Sequence, residues 1–170
     1  MDNYIKYSST RGGDISLSYE EVLLAGLARD GGLFMPESWP SFSHSDLKNM
    51  KKLTYAKLAT KILKPFIQPF LNEDDILNIC QDTYTPFGYD VAPLKELKKN
   101  TYILELFHGP TLAFKDYAMQ FLSRAFNLAL EKKGKRAVIL GATSGDTGSA
   151  ALEAFKGKAN IDIFILFPHS

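Results

Sequence analysis

From Thr101 onward, short apolar runs alternate with stretches of helical periodicity, and this alternation constrains the fold more than any other feature. The pattern predicts strands over 101–106, 136–142 and 161–167, with helices over 116–132 and 146–156 between them. Strands alternating with helices of this length require crossover connections, and therefore a parallel sheet. The unbroken runs Val138-Ile139-Leu140 and Ile163-Phe164-Ile165-Leu166-Phe167 fit strands covered on both faces. The fold class read from residues 101–170 is therefore α/β, a parallel sheet with crossover helices.

Residues 1–100 follow a different grammar and read as a mainly helical region with short extended pieces. A strand-like stretch over 4–8 leads into the turn Thr10-Arg11-Gly12-Gly13. Ser18 with Glu21 three residues on forms a capping box ahead of the stripe Val22, Leu23, Leu24 and Leu27, which stops at Asp30-Gly31-Gly32. Leu33-Phe34-Met35-Pro36 predicts a short buried strand. Ser45-Asp46 opens a brief helix. Thr54, between Leu53 and Leu58, caps another, and Asn72, between Leu71 and Ile76, repeats the device.

Composition removes several function classes. Twenty basic and 19 acidic residues, spread along the chain, give a net charge of +1 and no basic block for nucleic acid or a membrane surface. The longest apolar run, Ile163–Phe167, is too short to span a bilayer. Met1-Asp2-Asn3-Tyr4-Ile5-Lys6 lacks the apolar core of a signal peptide, and the one cysteine, Cys80, sits among Ile76, Leu77 and Ile79 as a packed thiol. A cytoplasmic protein is the expectation.

Ligands of open parallel sheets bind beyond the carboxyl ends of the strands, so the loops there matter most. Two of them, Phe107–Lys115 and Thr143–Thr147, are expected on one sheet edge, because right-handed crossovers return every strand in the same direction. Lys115 and Ser144 are 29 residues apart, about one βα unit, and can face one crevice.

Lys115 falls where a helix begins, after Leu112, Ala113 and Phe114. The helix dipole and an apolar setting both disfavour an ammonium there, by tenths of a kcal/mol up to about 1 for the dipole. Both push the amine toward the neutral, nucleophilic form that condenses with a carbonyl. The plainer alternative is a lysine snorkelling off the helix start, paired with Asp116. Ala142-Thr143-Ser144-Gly145-Asp146-Thr147-Gly148 has the composition of an anion cradle, in which backbone N–H groups meet a carboxylate or phosphate at a helix N-terminus. It lacks the Gly-Lys-Ser/Thr of a P-loop and the glycine spacing of a dinucleotide fingerprint. Its plainer alternative is a capped turn, with Ser144 or Asp146 as the cap. His44 and His169 join no ligand cluster, no metal site is expected, and His108 reads as a loop residue that orients backbone.

At these residues the chain resembles a known family. Leu106–Tyr117, Leu-Phe-His-Gly-Pro-Thr-Leu-Ala-Phe-Lys-Asp-Tyr, is similar to the cofactor-lysine segment of threonine synthase, and Gly141–Ala151 is similar to that family's second signature. Tyr7–Gly12 and Asp30–Glu37 resemble its opening region. The resemblance implies a fold type II, tryptophan-synthase-like enzyme dependent on pyridoxal phosphate (PLP), converting O-phospho-L-homoserine and water into L-threonine and phosphate. It implies that Lys115 holds the cofactor covalently and then shuttles protons, with Phe114 and Asp146 also at the cofactor. Asp146 stands where many relatives of that fold carry an asparagine touching the cofactor's ring oxygen. Thr143, Ser144, Gly145 and Thr147 match the loop that grips the substrate carboxylate.

Family members run on through a larger second part, where the resemblance places the cofactor's phosphate loop. Phe167-Pro168-His169-Ser170 reads as a strand followed by an interrupted loop. The expectation is therefore an N-terminal fragment with the lysine present and the pocket half built, inactive alone, with one sheet edge open to self-association. The alternatives are another lyase of the same fold, such as a serine or threonine dehydratase, and a non-catalytic anion-binding or interaction module.

Overall fold

The computed structural model describes residues 4–143 and 145–168. By contacts the chain forms two compact units, Met1–Cys80 and Gln81–Ser170.

In the first unit, β1 (Tyr7–Ser9) pairs antiparallel with β2 (Phe34–Pro36), Tyr7 opposite Pro36 and Ser9 opposite Phe34. The ribbon is braced by Asp30, whose carboxylate accepts from Ser9 Oγ at 2.8 Å, from Gly13 N at 2.8 Å and from Gly32 N at 2.8 Å. Those hydrogen bonds, the Gly32 amide foremost and the Ser9 hydroxyl next, hold the Asp30 carboxyl below its ordinary range. The segment expected as a buried strand is a strand with little burial: Leu33 is 61% and Met35 45% exposed. A two-stranded ribbon covers only one of its faces.

Helix α1 (Tyr19–Ala25) starts with the expected capping box, Ser18 accepting from Glu21 N while Glu21 accepts from Ser18 N. It stops at Gly26, whose φ of 72° ends the helix ahead of the predicted Asp30 boundary, and Leu27 is left exposed outside it. Helix α2 (His44–Met50) is capped by Ser43, two residues before the expected start, with Asp46 closing the box. Helix α3 (Tyr55–Ile67) is capped by Thr54, and α4 (Glu73–Tyr84) by Asn72, whose Oδ1 accepts from Asp75 N at 2.8 Å. Ile67, Leu71, Ile76 and Cys80 are at most 1% exposed and form the centre of this unit. Burial raises the pKa of the Cys80 thiol, and a hydrogen bond with Thr60 offsets part of that rise.

The second unit begins with the last turn of α4 and a 3-10 turn over Thr85–Phe87, and then forms a hairpin that the alternation did not predict. β3 (Leu94–Lys98) pairs antiparallel with β4 (Thr101–Leu104), Lys98 opposite Thr101. The turn between them places Asn100 at φ 62°, which asparagine tolerates better than most residues. The strand expected over 101–106 is therefore real but shorter, and its partner is β3. The crossover unit follows: α5 (Asp116–Lys133), β5 (Ala137–Ala142), α6 (Asp146–Phe155) and β6 (Ile161–Leu166). β5 and β6 are parallel, with Ala137 opposite Ile161 and Ala142 opposite Leu166. Gly134 ends α5 in the left-handed conformation and turns the chain into β5.

Helices α5 and α6 pack together through small residues: Ala125, Ala129, Ala150 and Ala154 are at most 2% exposed. Their bulk is low enough for the two backbones to approach closely. The strands are covered on one face only. Val138, Leu140, Phe164 and Leu166, all on the other face, are 59–71% exposed, against the expectation of cover on both sides. Among the described residues no helix is long and apolar enough to cross a membrane.

Candidate active site

Lys115 is the residue that enters α5, with helical backbone angles of φ −65° and ψ −22°. Its side chain is half-buried, and the Nζ stands 4.2 Å from the centre of the Phe114 ring. A cation over a partly exposed ring is held by about 0.5–1 kcal/mol. Among the described residues no carboxylate pairs with this amine. The alternative of a Lys115–Asp116 ion pair is therefore not what the structure contains.

Asp116 is engaged elsewhere. It is fully buried, its Oδ2 accepting from Thr111 N at 2.8 Å and its Oδ1 from Thr111 Oγ at 2.7 Å. Gly109 lies so near that a Cβ there would stand 2.5 Å from both the Asp116 Cβ and its Oδ2. Leu112, between these anchors, takes φ 60°, a conformation that costs a non-glycine residue roughly 1–2 kcal/mol. The loop ahead of Lys115 is thus tied back onto the first residue of its own helix. One residue later, Tyr117 Oη donates to Val91 O and adds a second tether. At the start of the loop His108 Nε2 contacts Glu105 Oε2 at 2.9 Å, a pairing of two side chains rather than a bond from the ring to backbone.

The second loop follows β5. Gly145 is the N-cap of α6, with no side-chain cap hydrogen bond, and Asp146 is the first helical residue, with its side chain exposed. The first helical bonds, from Gly148 N and Ser149 N, both end on Gly145 O. Among the described residues the amides of Asp146 and Thr147, which precede them, have no hydrogen-bond acceptor, as at the N-terminus of any helix, where such groups can meet an anion. Thr143 is half-buried, and its Oγ1 lies 3.5 Å from Gly145 N. Gly148 is buried, and a Cβ there would meet Thr143 Cγ2 at 2.6 Å and Ile165 Cγ2 at 3.0 Å. The glycine lets the helix start lie directly on the strand ends. Ser144, expected in this cradle, lies outside the described residues, as does His169.

Connectivity relates the two loops. α5 runs into β5 through a three-residue turn, so its start points back toward the carboxyl end of β5, where the Thr143–Thr147 loop sits. Lys115 and Phe114 are on the first of these loops, and Thr143, Gly145, Asp146 and Thr147 are on the second. Sequence reasoning missed the part played by Thr111 and Asp116. The only available signal was a Gly-x-Thr-x4-Asp spacing beside the lysine, which reads as ordinary loop polarity.

Comparisons with known proteins bear on this geometry. A family model described as the threonine synthase N terminus matches residues 6–84. The threonine synthase of Pseudomonas aeruginosa is 49% identical over 167 residues, which is 98% of this chain and 36% of that protein. This chain is related to the threonine synthases and matches their N-terminal third. A crystal structure of PLP-bound threonine synthase from Brucella melitensis superposes with a TM-score of 0.94 at 47% identity, covering 98% of this chain and 36% of that one. The yeast threonine synthase structure gives 0.91 at 38% identity over the same shares. Over the span present the fold is thus that of the fold type II enzymes; among the described residues its parallel sheet is the single pair β5–β6 joined by the one crossover helix α6, and β4, expected in that sheet, belongs instead to the separate β3–β4 hairpin. The chain spans about a third of the length of the relatives it matches.

Proposed function

We propose that this chain is the N-terminal portion of a threonine synthase, a PLP-dependent lyase that converts O-phospho-L-homoserine and water into L-threonine and phosphate. The observation that carries the reading is Lys115: an amine with no carboxylate partner among the described residues, at a helix threshold fixed by the Asp116–Thr111 lock. The likeness to a PLP-bound threonine synthase at 47% identity supports it.

The residues present fit the cofactor. An aldehyde needs an uncommitted primary amine, and Lys115 offers one beside the flat face of Phe114. When bound, PLP supplies an electron sink for negative charge that develops on substrate carbon. The chain's own residues then bind, orient and move protons. The lock on the 109–116 loop limits the arc through which the Lys115 Nζ can swing, so that this one atom can release and return a proton at a fixed place. The Thr143 hydroxyl and the amides of Gly145 and Thr147 hold the substrate carboxylate at the positive end of α6. Asp146, exposed at the first turn, is assigned to the cofactor's polar edge, and Ser144 to the same carboxylate loop. The covering of this crevice falls to residues outside the matched third, so turnover is assigned to the longer protein, as is an aqueous, small-molecule role with no nucleic acid or membrane partner.

The test is reductive trapping on two proteins: this chain, and this chain joined to the remaining two thirds of the Pseudomonas aeruginosa relative. Each is mixed with PLP and borohydride, digested, and mapped by mass. The joined protein should carry one pyridoxyl group, on Lys115, and release phosphate from O-phospho-L-homoserine. The chain alone should label weakly. Label scattered over surface lysines in the joined protein, or phosphate release that survives Lys115→Ala, would refute the proposal. Release of ammonia from serine or threonine in place of phosphate would favour a dehydratase.

A further inference from the structure

A second charged cleft lies on the Gln81–Ser170 unit, away from the two loops above. It is a shallow, open cleft of about 560 Å³, lined by Gln81, Asp82, Thr85, Pro86, Arg124 and Lys158. Lys158 precedes β6, at the amino edge of the parallel pair, whereas the Thr143–Thr147 loop follows β5 at the carboxyl edge. Arg124 is nine residues along α5 from Lys115, roughly 13 Å at the helical rise.

The two cations are held differently. The Arg124 guanidinium is anchored: Nη1 donates to Gln120 O and Gln120 Oε1, both at 2.9 Å, and Nη2 donates to Asp82 O at 3.0 Å. Those bonds occupy three of its five N–H donors and, among the described residues, leave the Nε–H and one Nη2 hydrogen unused. Lys158 is half-buried, and among the described residues its Nζ has neither a hydrogen bond nor an ion pair. Asp82 lies near enough to act on both charges, yet its carboxylate pairs directly with neither. Burial disfavours the charged form of Arg124 and of Lys158, and the Arg124 charge disfavours Lys158 further.

Two partly desolvated cations that line one cleft, one pinned by carbonyls and the other without a partner among the described residues, are arranged as the lining of an anion site. We propose that the Arg124–Lys158 cleft binds a small tetrahedral oxyanion of the phosphate class. The free Nε–H and Nη2–H of Arg124 grip two oxygens, and the Lys158 ammonium takes a third. Asp82 lowers the net positive charge of the cleft, which limits affinity and disfavours large polyanions. The proposal is independent of the Lys115 reading, since none of its residues belongs to that site.

The experiment titrates inorganic phosphate into this chain at constant ionic strength, set with sodium chloride, and follows the Arg124 Nε–Hε resonance by NMR. The expected result is a saturable shift with a dissociation constant of about 1–10 mM. Lys158→Gln should weaken binding at least about tenfold, equal to one unit of 1.4 kcal/mol. Lys158→Arg should retain it, and Asp82→Asn should tighten it several-fold. A shift that chloride reproduces, or one left unchanged by Lys158→Gln, overturns the proposal. All three variants alter exposed or half-buried side chains, and an unchanged amide spectrum elsewhere separates loss of the site from loss of the fold.

Discussion

Replacing Thr111 by valine should loosen the Lys115 loop by an amount that can be worked from its partners. Asp116 is fully buried, and its Oδ1 accepts from the Thr111 hydroxyl at 2.7 Å. Valine keeps the shape of threonine and removes only that donor, which leaves a buried carboxylate oxygen unpaired. A hydrogen bond to a charged group contributes about 1.5–3 kcal/mol, so local opening should become roughly 10- to 150-fold more frequent. Fluorescence is the wrong probe, because the only tryptophan, Trp39, lies in the other unit. Hydrogen exchange at the Thr111 amide, which donates to Asp116 Oδ2, and at the first turn of α5 reads the lock directly. Thr111→Ser keeps the hydroxyl and should cost under about 1 kcal/mol, the value of one methyl group. The reasoning fails if valine exchanges as slowly as wild type, or if serine is the more damaging change. The same variant should slow trapping of Lys115 by PLP, since a looser loop presents the amine in more orientations.

Other outcomes follow from the same kind of argument. Asp30 is held below the ordinary carboxylate range by its hydrogen bonds; its contribution is complete above about pH 4 and is lost as pH falls through its own lower value. Asp30→Asn should therefore flatten the acid limb of unfolding followed by Trp39 fluorescence. Tyr7 is pushed up to about 12 by burial; its contribution is complete below about pH 10 and disappears as pH rises toward 12. Tyr7→Phe should flatten that alkaline limb, at a neutral-pH cost of about 1 kcal/mol for the lost bond to Phe66 O. Gly148→Ala gains about 1 kcal/mol of helix propensity but drives a Cβ to 2.6 Å from Thr143 Cγ2. Overpacking of about 1–3 kcal/mol should prevail, and a rise in melting temperature would show that Thr143 yields freely. Leu140→Lys, at a position 71% exposed, should change stability by less than about 0.5 kcal/mol, while Leu130→Ala, at a position 3% exposed, should cost about 2–5.

What the sequence disclosed, and what it hid, divides by the range of the interaction. The caps at Ser18, Thr54 and Asn72 were legible because donor and acceptor lie within three residues. The elements from α5 to β6 were legible within a residue or so, because their period and their glycine stops are local too. Strand β3 is hidden because Leu94-Lys95-Glu96-Leu97-Lys98 is exposed at every position and carries charges that strands seldom favour. Its pairing rests on backbone bonds and on the Lys99-Asn100 turn. The end of α1 is hidden in the sequence because Leu27 continues the apolar stripe past Gly26, the glycine that turns the chain.

The site shows the same division. Lys115 drew attention because a charge follows three apolar residues at a helix start, a pattern visible in the letters alone. Asp116 did not, since a buried carboxylate and a surface one are spelled alike, and burial depends on where the loop folds back. The face formed by Val138, Leu140, Phe164 and Leu166 carries the converse lesson. Its residues are as apolar as those beneath α6, so composition alone reads both sides of the strands as interior. An apolar letter records that a surface is stable when covered; which element covers it is a property of neighbours that the run itself does not encode.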